Sequence, residues 1–289
     1  MSTTTACFIN QKGGCGKSSS TYHLGGALAV KGLNVLLVDC DPQGSLSQAF
    51  FGSAAVETLS ARDTLAAVFD PDSVLDRPDR LAVPTGFDRL SILRANQTLA
   101  PYNRPEPERE GLNQFLLRDA LADISGYDLV LIDCPPNLYL ASWNAMLAAS
   151  HVVVPVPPED FGAQGLRVVH QAIEQASRLN PRLHLTGHLV TRYDGRLAVH
   201  RAYLQKLRSL YRETVFETAV PEASAFKVAL TCRTPVSHHV PRSKAAKVMA
   251  TVADELLTRI ASVSGANPAQ GRLVPDVAAE AVMKQQSVG

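Results

Sequence analysis

Gly13-Gly14-Cys15-Gly16-Lys17-Ser18 is a string whose residue types and spacing suit phosphate chemistry. Glycines let consecutive backbone N–H groups converge on phosphate oxygens, and a helix that starts at this point adds partial positive charge. In such a loop Lys17 reaches the β- and γ-phosphates, the Ser18 hydroxyl binds Mg²⁺, and Ser19 follows on the first helical turn. The usual spacing G-x-x-x-x-G-K-[ST] asks for a glycine at position 11, where the chain carries Gln11, followed by a second lysine, Lys12.

Two further stretches end in carboxylates. LLVDCDPQG (residues 36–44) is an apolar run closing on Asp39 and Asp41, two residues apart and so on one side of an extended strand. YDLVLIDCPP (residues 127–136) is another apolar run, closing on Asp133. Ligands of open parallel sheets bind at the carboxyl ends of strands, so one strand end supplying a phosphate loop and two supplying acids form a coherent nucleotide site. A dinucleotide fingerprint is the competing reading of Gly14-x-Gly16. It fails at its third glycine, where Ser19 stands, and it gives Lys17, Ser18 and Asp133 nothing to do.

The elements that must position these residues follow from apolar patterning. Short buried-strand runs are predicted at 6–10, 35–39, 90–94, 129–133, 152–156 and 185–191. Helical spacing is predicted at 18–31, 112–124, 139–149, 165–179, 198–211 and 243–262. Strand alternating with helix predicts an α/β fold, a mostly parallel twisted sheet with helices on both faces. Residues 53–88, with one short helix pattern at 61–69, and PYNRPEPEREG (101–111) read as surface insertions. Residues 1–264 are expected to form one domain and 265–289 a flexible tail.

A chain of 289 residues with 46% hydrophobic content has ample material for a core, and its net charge of +1 gives no global attraction to polyanions. The charge is unevenly placed. Residues 55–130 hold 13 acids against 8 basic residues, and residues 180–250 hold 4 against 12, which makes the second region the candidate polyanion face. The five scattered cysteines, without C-x-x-C spacing, argue against a disulfide framework and a zinc site. The N-terminal residues lack a signal-peptide pattern, and no apolar run approaches the roughly 18 residues of a membrane span. A cytoplasmic protein is expected.

The string Lys12–Ser18, followed by Asp39-Cys40-Asp41-Pro42-Gln43-Gly44 and the turn Asp133–Pro136, resembles the ParA/Soj partition ATPases, P-loop NTPases of the deviant Walker A (SIMIBI) group. VPVPPEDFGAQGL (154–166), TRYDGR (191–196) and VFETAVPEASAF (215–226) extend the resemblance over about residues 4–262. It implies an ATP and Mg²⁺ site in which Lys12, Gly13, Gly14, Cys15, Gly16, Lys17, Ser18 and Ser19 surround the phosphates. Ser18 and, through water, Asp133 would hold the metal with Asp39 nearby, and Asp41 would position the attacking water. Lys12 is the group's deviation, a lysine that reaches the partner's nucleotide in a sandwich homodimer. Slow ATP hydrolysis stimulated by a ParB-like centromere-binding protein or cargo adaptor, ATP-dependent binding of nonspecific DNA, and a nucleoid-associated location in plasmid or chromosome segregation, or in moving another cytosolic cargo, are implied in the same way.

Candidate DNA contacts are Arg192, Arg196, Arg201, Arg233, Arg242, Lys244 and Lys247. One departure matters, because Val220-Pro221-Glu222-Ala223 places an acid where many relatives have a DNA-contacting arginine. A MinD-like membrane-positioning ATPase is the alternative within the group, but RLVPDVAAEAVMKQQSVG (272–289) is a poor amphipathic anchor and no membrane partner is expected. A nucleotide-gated binding module with negligible hydrolysis is a further alternative.

Overall fold

The computed structural model describes residues 3–72, 77–158 and 163–264. Seven strands, β1 (Thr4–Phe8), β2 (Val35–Asp39), β3 (Ala82–Pro84), β4 (Leu90–Leu93), β5 (Leu129–Asp133), β6 (His151–Val156) and β7 (His184–Val190), form one sheet. The spatial order is β3-β4-β2-β5-β1-β6-β7. Every pairing is parallel except that of the short edge strand β3 with β4.

Every residue of β2 and β5 is buried, as expected of strands covered on both faces. The pleat sends alternate side chains to two separate cores. Leu36, Val38, Val130 and Ile132 join Leu140, Trp143 and Met146 of the helix Leu140–Ala148 and Val169 of the helix Ala163–Leu179. Val35, Leu37, Leu129 and Leu131 join Leu24 and Leu28 of the helix Lys17–Val30, and Met249, Val252 and Leu256 of the helix Lys244–Ser264.

The Lys17–Val30 helix is buried along almost its whole length and packs closely on its neighbours. A Cβ at Gly26 would collide with the ring of Pro235. Ordinarily Gly→Ala inside a helix stabilises by about 1 kcal/mol, but overpacking against a rigid ring costs about 1–3 kcal/mol. Gly26→Ala is therefore expected to cost a net of up to about 2 kcal/mol and to lower the melting temperature by up to about 4 °C in a thermal scan.

The predicted elements are present with shifted ends. Strand β1 stops at Phe8 instead of position 10, because Asn10 turns its side chain out of the ladder to serve the loop that follows. The segment expected to be one helix at 112–124 is a 3₁₀ turn, Gly111–Phe115, followed by the helix Leu116–Ala122. Unpredicted are β3 and the helices Ser45–Phe51, Ser53–Glu57, Ser224–Thr231 and Val236–His239. All are eight residues or shorter, too brief to show a full apolar period. The expected tail, 265–289, lies outside the described residues.

Candidate nucleotide-binding site

Parallel register brings three strand ends to one level. Asp133 pairs with Phe8 of β1 on one side and with Asp39 of β2 on the other. The chain leaves β1 through residues 9–16 and enters the long helix at Lys17. Gly14 and Gly16 hold φ of 70° and 89°, a region costly for residues with a Cβ. Gly16 also lies against Thr191, whose side chain would be 3.3 Å from an added Cβ. No side chain caps the helix and no acid occupies its first turn, so its leading N–H groups face the cavity as anion donors.

The loop is tied down from several sides. Asn10 donates to the Pro155 carbonyl at 2.7 Å and accepts from the Lys12 N–H at 3.0 Å. Thr191 donates to the Cys15 carbonyl at 2.7 Å. Lys17 is only 6% exposed, and its ammonium donates to the carbonyls of Asn10 (2.9 Å) and Lys12 (3.2 Å), with the Cys15 sulfur at 3.7 Å. Burial pushes the Cys15 thiol up despite that ammonium, so it stays neutral, in keeping with a packing role. Lys12, five residues before Lys17 on the same loop, is exposed.

The three carboxylates differ sharply. Asp39 is fully buried but accepts from the Asp41 N–H (3.2 Å) and from the Ser47 N–H and hydroxyl (2.8 and 2.7 Å). Asp41 is 8% exposed, accepts from the Gln43 N–H at 2.9 Å, and has its carboxyl raised by burial. Asp133 is fully buried and neither oxygen has a hydrogen-bond partner, although the neighbouring Ser18 hydroxyl works against the upward shift of its carboxyl. Burial first, then the negative charge of Asp39, raises the Asp133 carboxyl well above the usual range, and burial raises Asp39 too. Because donors to a carboxylate favour its charged form, Asp133 is the member of the pair that keeps the proton.

An orphaned, buried carboxyl beside a serine hydroxyl fits a hydrated divalent cation. Mg²⁺ takes one or two protein oxygens and completes its shell with water and phosphate. The pair also gives the ligand-free chain a pH signature. Between about pH 4, where unfolded carboxyls titrate, and neutrality, the native state binds more protons than the unfolded state, so stability falls as pH rises. Melting temperature measured without Mg²⁺ from pH 5 to 8 is expected to decline from this cause, and Asp133→Asn to flatten the decline.

The cavity above these groups has a volume of about 470 Å³. One end is the loop from Gly13 to Ser20 with Asp41 and Ser45; the other is mostly apolar, built from Val220, Pro221, Ala223, Phe226 and Leu230. A polyanionic end joined to an apolar end matches a nucleoside phosphate. Of the residues in the sequence reading, Gly13 through Ser19 and Asp41 line this cavity, whereas Lys12, Asp39 and Asp133 do not. Asn10, Ser47 and Thr191 are positioning residues to which the sequence reading gave no role; Asn10 and Ser47 lie beside motif strings and Thr191 opens TRYDGR.

The basic candidates scatter. Arg192 lines the cavity. Arg196 is forked onto Asp194 (2.7 and 2.9 Å), holding that carboxyl down at about 2, and Arg201 donates to the carbonyls of Gly195 and Arg196. The Arg233 guanidinium lies against Gly52. Arg242, Lys244 and Lys247 are exposed at the start of the final helix. Glu222 pairs with Lys227 at 3.1 Å and approaches Arg192 at 3.9 Å.

Comparison with known proteins converges on this geometry. A family model described as an AAA domain matches residues 3–185, which include the loop and all three carboxylates. The chain is 34% identical to the chromosome-partitioning ATPase Soj of Thermus thermophilus, over 87% of this chain and 94% of that protein. It is 32% identical to Soj of Treponema pallidum, over 88% and 97%. The chain belongs to the ParA/Soj family. Among solved structures, cobyrinic acid a,c-diamide synthase from Mycobacterium smegmatis, with bound ATP analogue and magnesium, superposes with a TM-score of 0.75 at 30% identity, covering 90% of this chain and 96% of that one. An ATP complex of Cyanothece McdA also reaches 0.75, at 17% identity over 89% and 96%, a likeness of fold. This ParA/Soj family member thus shares its architecture with chains crystallised around ATP, ADP and magnesium.

Proposed function

We propose that the chain is a Mg²⁺-dependent ATPase that cycles between an ADP-bound or free monomer and an ATP-bound sandwich homodimer, and that the dimer holds nonspecific DNA until a ParB-like or cargo-adaptor partner stimulates hydrolysis. The observation that carries this reading is the convergence, at three neighbouring strand ends, of buried Lys17, unsatisfied Asp133 and exposed Lys12 on one glycine loop.

In this reading the helix N–H groups and Lys17 bind the phosphates, and Lys17 exchanges the carbonyls of Asn10 and Lys12 for phosphate oxygens. Ser18 and, through water, Asp133 would hold the cation, which would supply charge neutralisation for the phosphates. Asp41 orients the attacking water, while Asp39, anchored by Ser47, fixes the backbone at Asp41. A site built from positioning and charge, without an arginine finger from another protein, suits slow turnover. Lys12 extends to the partner copy. Plasmid, chromosome or another large cytosolic cargo would be moved by repeated release and rebinding.

Arg242, Lys244 and Lys247 support the DNA reading best, since Arg196 and Arg201 are engaged within their own loop. The experiment is a titration of duplex DNA over salt, with ATP and with ADP. ATP-dependent affinity that falls steeply with salt is expected, with a slope of about −0.9 per phosphate contact. Equal affinity with ADP, or a flat salt response, contradicts the proposal. Replacing Lys244 and Lys247 together by Gln is expected to reduce the magnitude of that slope by about 2 while leaving ATP binding unchanged.

A further inference from the structure

Arg192 entered the argument as a candidate for the DNA face, yet the structure places its exposed side chain on the lining of the cavity. It is a non-glycine residue with φ of 53°, in the left-handed region that costs a residue with a Cβ. That backbone follows directly on Thr191, which packs against Gly16 and hydrogen-bonds the Cys15 carbonyl. The turn aims the guanidinium back across the cavity mouth, where Nη1 lies 3.5 Å from the Gly14 carbonyl and Nη2 lies 3.9 Å from Glu222. Glu222 is itself held by Lys227 at 3.1 Å, and Arg192, Glu222 and Lys227 all line the cavity.

We propose that Arg192 is a phosphate-binding cation of the chain's own nucleotide site, and that Glu222 is the residue that positions it. The chain carries an acid at 222 where the related pattern carries an arginine, and a cation at 192, beside it on the same cavity wall. A guanidinium is permanently charged and matches phosphate oxygens in pairs. Its Nη1 lies 3.5 Å from the Gly14 carbonyl, so a short movement brings the guanidinium to a phosphate held by the neighbouring N–H groups. Glu222, 40% exposed and tied to Lys227, restricts that swing to the cavity side. This assignment rests on the nucleotide reading of the site and concerns its ligand contacts.

The test is calorimetric binding of adenosine, AMP, ADP and ATP, with Mg²⁺, to wild type, Arg192→Met, Glu222→Gln and the double variant. Arg192→Met is expected to weaken ADP and ATP by about tenfold and adenosine by less than about twofold, as for loss of one charge-assisted contact. Glu222→Gln should weaken ADP by a smaller factor, and the double variant should bind no worse than Arg192→Met alone, because the two act through one guanidinium. Equal loss for adenosine and ADP would place the arginine on the nucleoside and overturn the assignment. Unchanged nucleotide affinity with weakened DNA binding would return it to the DNA face. Additive losses in the double variant would remove Glu222 from the positioning role. If wild type itself binds none of the four ligands, the nucleotide reading fails first. An Arg192→Lys variant controls for folding, since it keeps charge and stem, and it should recover part of the ADP affinity.

Discussion

Asp133→Asn is expected to raise the melting temperature of the ligand-free chain and, in the same protein, to abolish Mg²⁺-dependent ATP hydrolysis. Both effects come from one atom pair. The carboxyl is fully buried with both oxygens unpartnered, so above neutral pH it either ionises without compensation or holds a proton at the expense of folding free energy. An amide of the same shape has no charge to desolvate. Relief of an unsatisfied buried charged group is worth about 1–3 kcal/mol, or an upward shift of about 3 °C or more for a chain of this size. The gain should be largest at pH 8 and shrink toward about pH 4, where the carboxyl is protonated in the unfolded state as well. Loss of the metal's carboxylate should reduce turnover by about 100-fold or more, because charge neutralisation is most of what such a site supplies. Differential scanning calorimetry and phosphate release check the two halves. A less stable, inactive variant would mean that Asp133 is a structural carboxylate with an unrecognised partner.

The second large effect separates the two lysines. Lys17 is buried and points its ammonium at carbonyls of its own loop, so Lys17→Gln should remove a charged phosphate ligand and weaken ATP binding to the monomer by about 100-fold. Lys12 is exposed, its backbone N–H fixed by Asn10, so the side chain's origin is set while its ammonium is left to reach outward. Lys12→Gln should therefore leave monomer affinity within about threefold, the scale of a solvent-screened charge. A fluorescent-nucleotide titration at protein concentrations below the dimer range distinguishes them. Comparable losses in both variants would put Lys12 on its own subunit's phosphates.

The sequence made the phosphate loop, Asp39, Asp41, Asp133 and the parallel character of the sheet legible for a physical reason. Strands buried on both faces leave continuous apolar runs, and a loop that must present N–H groups leaves glycines. What it hid depended on contacts across the chain. Thr191 and Cys15 are 176 residues apart, and Asn10 and Pro155 are 145 apart, so nothing in local spacing announces that one secures the other. Arg192 looked like one more positive charge in a basic region. Its left-handed φ, and the acid waiting at Glu222, turn it to the cavity. The fork of Arg196 onto Asp194, two residues earlier, depends on a loop bend that charge counting does not describe. Short helices such as Ser45–Phe51 escaped because two turns carry too few apolar positions to show a period, although this one supplies the Ser47 that anchors Asp39.

The account joins the loop, the carboxylates and the second lysine into a nucleotide-controlled assembly, and sedimentation velocity is its most direct test. The Asp41→Ala variant, which holds the nucleotide intact, should sediment as a dimer with Mg²⁺ and ATP. The same protein with ADP, and Lys12→Gln with ATP, should remain monomeric. A monomer with ATP in every case, or a dimer that forms equally with ADP, would contradict the account.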